Sequence, residues 1–259
     1  LGLHTIITHG KVNAVRNTPF YLDPQIPMLP RFFQQAGYKT GHFGKWHLGT
    51  TRGCKGSASP DKYGIDDYKT NEGKEWISFE WVKNKKPAKS NKQIFDEGIR
   101  FISENRQKPF YLQLWTFDPH RPIVTNQQMT KSYSRLPDPK KSYYSVITDI
   151  DRNIRRLLDH IEDQGITENT MFIFASDNGP EITGPLNCGS PGPFRGMKRN
   201  LYEGGIRTPL SVRWKDRIKP AQVDKISVIA GSDFLPSLAK IADMLLSPII
   251  EILIDGEDM

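Results

Sequence analysis

The chain has 259 residues, of which 37% are hydrophobic, 10% aromatic and 25% charged, and its formal net charge is +7. That apolar content supports a sizeable core and excludes a disordered chain, and no stretch approaches the ~20 apolar residues of a membrane-spanning helix. Excess positive charge attracts anions of any kind, yet no Lys/Arg run interleaved with aromatics marks a nucleic-acid module, so nucleic acid is not an expected partner.

Along the chain, Met28, Leu29, Phe32 and Phe33 have helical spacing that stops at Gly37. A strand is expected over Tyr38 to Phe43, leading into Gly44-Lys45-Trp46-His47-Leu48-Gly49. From Thr50 to Lys92 the sequence is polar and reads as a long surface excursion of the kind that shapes binding sites. A helix follows from about Gln93 to Asn105, with Ile94, Phe95, Ile99, Phe101 and Ile102 on its apolar face. Phe110 to Trp115 reads as a strand ending at Asp118-Pro119-His120.

The most regular helix spans about Ser142 to Gln164, where Tyr144, Ile147, Ile150, Ile154, Leu157, Leu158 and Ile161 recur at three and four. Met171 to Ala175 reads as a fully buried strand followed at once by Ser176-Asp177-Asn178-Gly179. A strand over Leu210 to Trp214 and a helix from about Phe234 to Met244 come last. Helices alternate with strands across long crossovers, so the fold class is α/β with a mostly parallel sheet sandwiched by helices. Ligands of such sheets gather beyond the strands' carboxyl ends, and three polar clusters fall there.

Asp177 and Asn178 offer hard oxygen donors suited to Ca²⁺ or Mg²⁺, and they are equally the residues of an ordinary Asp-Asn-Gly turn. Lys45 and His47, two apart in extended chain, point to one side and can converge on an anion, with Trp46 facing the core; a surface turn reads the same way. His120, between Pro119 and Pro122, sits on a stiffened loop as an acid or anion donor, or as a solvated histidine. In Phe194-Arg195-Gly196-Met197-Lys198 and Glu203-Gly204-Gly205-Ile206-Arg207-Thr208-Pro209, the glycines allow close backbone approach. Lys198 there reaches an anionic oxygen, or is merely solvated.

Taken together these blocks carry a family resemblance. Gly37-Tyr38-Lys39-Thr40 with Gly44-Lys45-Trp46-His47-Leu48-Gly49 resembles the second sulfatase signature. Asp118-Pro119-His120-Arg121-Pro122 resembles the family's Pro-His segment, and Ser176-Asp177-Asn178-Gly179-Pro180 its metal-binding segment. Gly196-Met197-Lys198 followed by Tyr202 to Pro209 is similar to its lysine-plus-Glu-Gly-Gly pattern. Ser232 to Ser237 and Asp255 to Asp258 resemble later landmarks, all in family order.

The resemblance implies an alkaline-phosphatase-like sulfatase core and a sulfuric ester hydrolase acting on a sulfated sugar or aryl sulfate. It implies Ca²⁺, or Mg²⁺, held in part by Asp177 and Asn178, and a formylglycine nucleophile made from a Cys or Ser by a maturation enzyme. Lys45 and Lys198 would bind sulfate oxygens. His47 would help release the aldehyde from its sulfated hemiacetal, and His120 would hydrogen-bond sulfate or protonate the leaving alcohol.

Neither cysteine fits the nucleophile motif: Cys54 lies in Arg52-Gly53-Cys54-Lys55-Gly56 and Cys188 in Asn187-Cys188-Gly189-Ser190-Pro191. Two cysteines are too few for a disulfide framework, and they could pair or stay free. Residues 1–259 are therefore expected to be a partial catalytic domain. The nucleophile segment, the paired aspartates of the metal site, a signal segment and a C-terminal subdomain would lie outside it. A periplasmic, secreted or lysosomal-type location follows by resemblance. Alternatives are a phosphonate or phosphodiester hydrolase of the same superfamily, or a non-catalytic binder of sulfated glycans.

Overall fold

The computed structural model describes residues 15, 21–46, 48, 58–70, 90–120, 123–125, 127–182 and 188–244. It divides into two compact units: Leu1–Phe79, Asp96–Trp115 and Val223–Met259 form the first, Glu80–Phe95 and Thr116–Gln222 the second.

In the first unit, helix α1 (Leu29–Gln35) starts with proline in its first turn and buries Pro30, Phe32 and Phe33. Pro at the start costs nothing, because the first helical N–H groups have no intrahelical partner. Strand β1 (Lys39–Gly44) is the centre of a parallel three-stranded sheet, flanked by β2 (Asp67–Thr70) and β3 (Phe110–Trp115). Five of the six β1 residues are buried, as a central strand requires. Helix α2 (Ser90–Asn105) reaches this sheet through Phe101, whose ring meets Phe43 edge-on at 6.0 Å and Phe110 at 6.2 Å.

Strand β2 corrects the expectation of an unbroken surface excursion from Thr50 to Lys92. Its sequence, Asp-Tyr-Lys-Thr, shows no apolar alternation. Ion pairs stand where apolar contacts would signal a strand: Arg100 meets Asp67 at 2.7 Å and Glu97 at 2.8 Å, and Lys69 pairs with Glu97. Such partly exposed pairs are each worth about 0.2–1 kcal/mol. The excursion also contributes Tyr63 and Ile65 to the core, against Leu22 and Trp46. The Tyr63 hydroxyl donates to the Leu22 carbonyl at 2.6 Å.

His42, on β1, is fully buried. Its ring lies edge-on to Trp46 at 5.2 Å and Trp115 at 4.8 Å. Burial pulls its pKa down to about 4, against the opposing effect of hydrogen bonds to Gln113 and the Lys45 carbonyl. Unfolding frees the ring to protonate near its ordinary 6.5, so its contribution is complete above that pH. It is lost as pH falls from 6.5 towards 4, a change of about 3 kcal/mol. Denaturation midpoints at pH 7 and pH 4.5 should therefore drop further in the native protein than in His42→Gln; equal drops would contradict a buried neutral ring.

In the second unit, helix α3 (Lys140–Asp163) has the predicted length, but its buried face is turned. Tyr144 and Ile147 are 38% and 40% exposed, while Ser145, Val146, Asn153, Leu157 and Ile161 are buried. The two polar members satisfy themselves on their own helix: Ser145 Oγ donates to the Lys141 carbonyl at 2.7 Å, and Asn153 Nδ2 to the Asp149 carbonyl at 2.8 Å. Polar residues bonded within the helix can be buried at little cost, and apolar spacing alone does not reveal them.

Strand β4 (Phe172–Ala175) pairs antiparallel with β5 (Leu210–Arg213), an exception to the parallel pairing of the first sheet. Expected to be fully buried, β4 is half-buried at Phe172 and Ile173 and exposed at Phe174 and Ala175. Helix α4 (Phe234–Ile241), in the first unit, buries Ser237, Leu238 and Ala239. Cys188 is a buried free thiol; Cys54 lies outside the described residues. Among the described residues no helix is long and apolar enough to cross a membrane.

Candidate active site

Three of the clusters follow strands, those of Lys45, His120 and Asp177. After β1, Gly44 adopts φ 114°, a left-handed conformation that disfavours side chains, and the chain turns out of the sheet. The Lys45 N–H then donates to the Trp115 carbonyl at the end of β3, at 2.7 Å. Trp46 is buried, its ring 5.3 Å from Tyr63 and edge-on, so the Lys45 block is anchored by the core through its next residue. His47 lies outside the described residues.

After β3 the chain enters Asp118-Pro119-His120 through a cis Asp118–Pro119 bond. His120 is exposed, and its N–H donates to the Phe117 carbonyl at 2.9 Å. Asp118 is held from α2 and stands near α3. The buried Asn91 donates through Nδ2 to Asp118 Oδ2 at 2.8 Å and to Asp149 Oδ2 at 3.2 Å. Burial pushes the Asp118 carboxyl up to about 6; the Asn91 bond opposes the shift and the Asp149 charge adds to it. The histidine turn is thus tied down two residues before His120. No local sequence pattern announces Asn91 or Asp149, because their partners are distant in the chain.

After β4, the Ser176 hydroxyl donates to the Asn178 carbonyl at 3.1 Å, and Asn178 Nδ2 donates to the Gly179 carbonyl at 3.0 Å. That bond uses the amide nitrogen and leaves Asn178 Oδ1 as an acceptor. Among the described residues the Asp177 carboxylate takes part in no hydrogen bond or ion pair.

The turn is braced by the glycine-rich loop: Gly179 N–H donates to the Gly205 carbonyl at 2.8 Å, and Lys198 N–H to the Pro180 carbonyl at 3.0 Å. A Cβ on Gly179 would lie 1.9 Å from the Gly204 carbonyl oxygen, and one on Gly205 2.1 Å from the Asn200 oxygen. The close backbone approach expected of the loop glycines is present at Gly204 and Gly205. Asn200 Oδ1 accepts from the Met197 N–H at 3.1 Å. Arg199, at φ 78°, pairs with Glu181 at 2.7 Å. Lys198 is carried between these two fixed points.

Lys45 belongs to the first unit; His120, Asp177, Asn178 and Lys198 belong to the second. Within the second, the structure joins the Asp177–Asn178 turn directly to the Lys198 loop. Among the described residues no group of three or more His, Cys, Asp or Glu side chains is gathered to hold a metal. A uncommitted carboxylate beside a free amide oxygen nevertheless fits two places in the shell of a hard cation, which takes six to eight oxygens when it is Ca²⁺.

The sequence profile of the sulfatase family matches residues 5–244. The chain belongs to the sulfatase family. It is 29% identical over 248 residues to the uncharacterized sulfatase YdeN of Escherichia coli, covering 83% of this chain and 43% of that protein. It is 30% identical over 254 residues to the N-acetylgalactosamine-6-sulfatase of Mus musculus, covering 86% and 46%. The chain thus spans about half the length of the curated sulfatases it matches.

Among solved structures, Ps i-CgsB in complex with k-i-k-neocarrahexaose superposes with a TM-score of 0.77 at 21% identity, over 92% of this chain and 58% of that one. The putative sulfatase yidJ of Bacteroides fragilis superposes with a TM-score of 0.69 at 19% identity, over 92% and 59%. At that identity the likeness establishes the fold, the α/β core of sulfatases.

Proposed function

We propose that this chain is part of the catalytic domain of a sulfuric ester hydrolase that removes sulfate from a sulfated sugar or an aryl sulfate. The observation that carries this reading is the turn after β4. It presents Asp177 and Asn178 as uncommitted oxygen donors and is bonded through Pro180 to the loop of Lys198, in a chain of the sulfatase family. The nucleophile, a formylglycine made from Cys or Ser by a maturation enzyme, and the remaining metal ligands would come from segments beyond these residues.

Asp177 and Asn178 would hold a divalent cation, Ca²⁺ in preference to Mg²⁺ because an amide and a carboxylate suit its flexible oxygen shell. When bound, that ion supplies stabilisation of charge on the sulfate oxygens. Lys45 and Lys198 would each bind sulfate oxygens through an ammonium group, as preorganised charge. His120, on the tethered turn after β3, would hydrogen-bond sulfate or give its proton to the leaving alcohol, and His47 would help release the aldehyde from its sulfated hemiacetal. A sulfated sugar is favoured as substrate by the net charge of +7, which draws polyanions. The relative from Mus musculus is by name an N-acetylgalactosamine-6-sulfatase. A periplasmic, secreted or lysosomal-type location belongs to the same proposal.

Lys198→Ala tests the role of the loop. The bond from its N–H to Pro180 is made by the main chain, so the loop survives the substitution. Sulfate release by the full-length protein should fall about 10²–10³-fold, as for the loss of one transition-state contact, with an unchanged melting temperature. An Ala variant of native activity would remove Lys198 from the site.

A further inference from the structure

A run of three side chains ends on the main chain of Lys45, with His42 fully buried and Gln113 and Tyr111 half-buried. His42 Nε2 faces the Lys45 carbonyl at 3.0 Å, and its Nδ1 faces Gln113 Oε1 at 3.1 Å. Gln113 Nε2 in turn lies 2.9 Å from the Tyr111 hydroxyl. Both oxygens facing the ring are acceptors, so this arrangement needs a proton on each nitrogen, an imidazolium. The His42 ring is fully buried, edge-on to Trp46 and Trp115, and burial favours its neutral form. Amide oxygen and nitrogen are told apart by the partners they meet. Turning the Gln113 amide by half a revolution gives every group one proton and one acceptor. Tyr111, whose phenol burial keeps protonated, then donates to Gln113 Oε1. Gln113 Nε2 donates to His42 Nδ1, and His42 Nε2 donates to the Lys45 carbonyl.

We infer that His42 is a positioning residue: a neutral Tyr111–Gln113–His42 relay holds the Lys45 carbonyl from one side while Trp115 holds the Lys45 N–H from the other. The second bond is 2.7 Å long. With both ends of its main chain fixed to β1 and β3, Lys45 leaves Gly44 in one direction only. This inference rests on the proposed role of Lys45 as a sulfate-binding cation. None of the three relay residues is needed for the family resemblance, and their roles emerge only from the packing of β1 on β3.

The relay itself is read by nitrogen NMR of the full-length protein labelled at histidine, with His42 assigned by its loss in His42→Gln. A single Nε2–H tautomer, unchanged between pH 8 and pH 5, is expected. An Nδ1–H tautomer, or an imidazolium at neutral pH, would overturn it. The link to Lys45 is read by a double-mutant cycle on kcat/KM for sulfate release. His42→Leu should cost roughly tenfold to a hundredfold, the scale of a misplaced catalytic group. His42→Gln, which restores an N–H donor, should recover most of that loss, and in a Lys45→Ala background His42→Leu should cost almost nothing more. Equal losses in both backgrounds, or no recovery with Gln, would reduce His42 to core packing. A native protein that releases no sulfate from any ester would defeat the proposed function, while the NMR result would still decide the relay.

Discussion

Asp177→Asn should lower sulfate release by roughly a thousandfold while leaving the fold in place. The change keeps the size of the side chain and removes its charge. No bond of the surrounding turn uses the carboxylate: Ser176 bonds the Asn178 carbonyl, Asn178 bonds the Gly179 carbonyl, and Gly179 bonds the Gly205 carbonyl. Unfolding free energy without metal should therefore stay within about 0.5 kcal/mol of native, as for ordinary surface changes. On the proposed role of Asp177 a hard anionic ligand would be lost, and the charge stabilisation a bound cation supplies is worth several kcal/mol. Metal content of the purified protein should fall together with activity. Native turnover, or native metal content with no turnover, would separate Asp177 from the cation.

Gly179→Ala should be the most damaging such change among the described glycines of the second unit. Its Cβ would meet the Gly204 oxygen at 1.9 Å and the Gly205 Cα at 2.9 Å. Both are backbone, so no side chain can swing aside. The turn must part from the Glu203–Ile206 segment, breaking the 2.8 Å bond from Gly179 to Gly205. Overpacking of this kind costs about 1–3 kcal/mol, and here it also moves Asp177 and Asn178 away from the Lys198 loop. Urea denaturation and sulfate release should both report the loss. Gly231→Ala, where a Cβ meets nothing within 4 Å, is the control expected to change neither. A Gly179→Ala protein as stable and active as native would show that the close approach does not shape the site.

Where local pattern and tertiary role coincide, the elements could be read from the sequence. Phe32 and Phe33 at helical spacing give α1, the strand-like run from Tyr38 to Phe43 gives β1, and the apolar run at 110–115 gives β3. Strand β2 was not legible, since Asp67 and Lys69 satisfy themselves through Arg100 and Glu97, which lie some thirty residues on. The turned face of α3 was hidden for a similar reason: Ser145 and Asn153 are polar by type, yet bonded within their own helix.

The site divides along the same line. Lys45, His120, Asp177, Asn178 and Lys198 stand in ordered blocks, and those blocks carry the resemblance to a sulfatase that the family match bears out. Some of the groups that hold the blocks stand outside them. Asn91 and Asp149 lie on helices otherwise read as core elements, and His42 lies inside a strand. Their partners are found only by folding the chain.

The central claim, hydrolysis of a sulfuric ester, is tested most directly by substrate competition in the full-length protein. Sulfate release from an aryl sulfate and from sulfated monosaccharides would be measured beside cleavage of the matching phosphodiesters and phosphonates. For at least one sulfate ester kcat/KM should exceed that for every phosphorus ester by orders of magnitude, and chelation of the metal should abolish it. Preferential cleavage of a phosphodiester or phosphonate would contradict the account and place the chain with the phospho-hydrolases of the same superfamily.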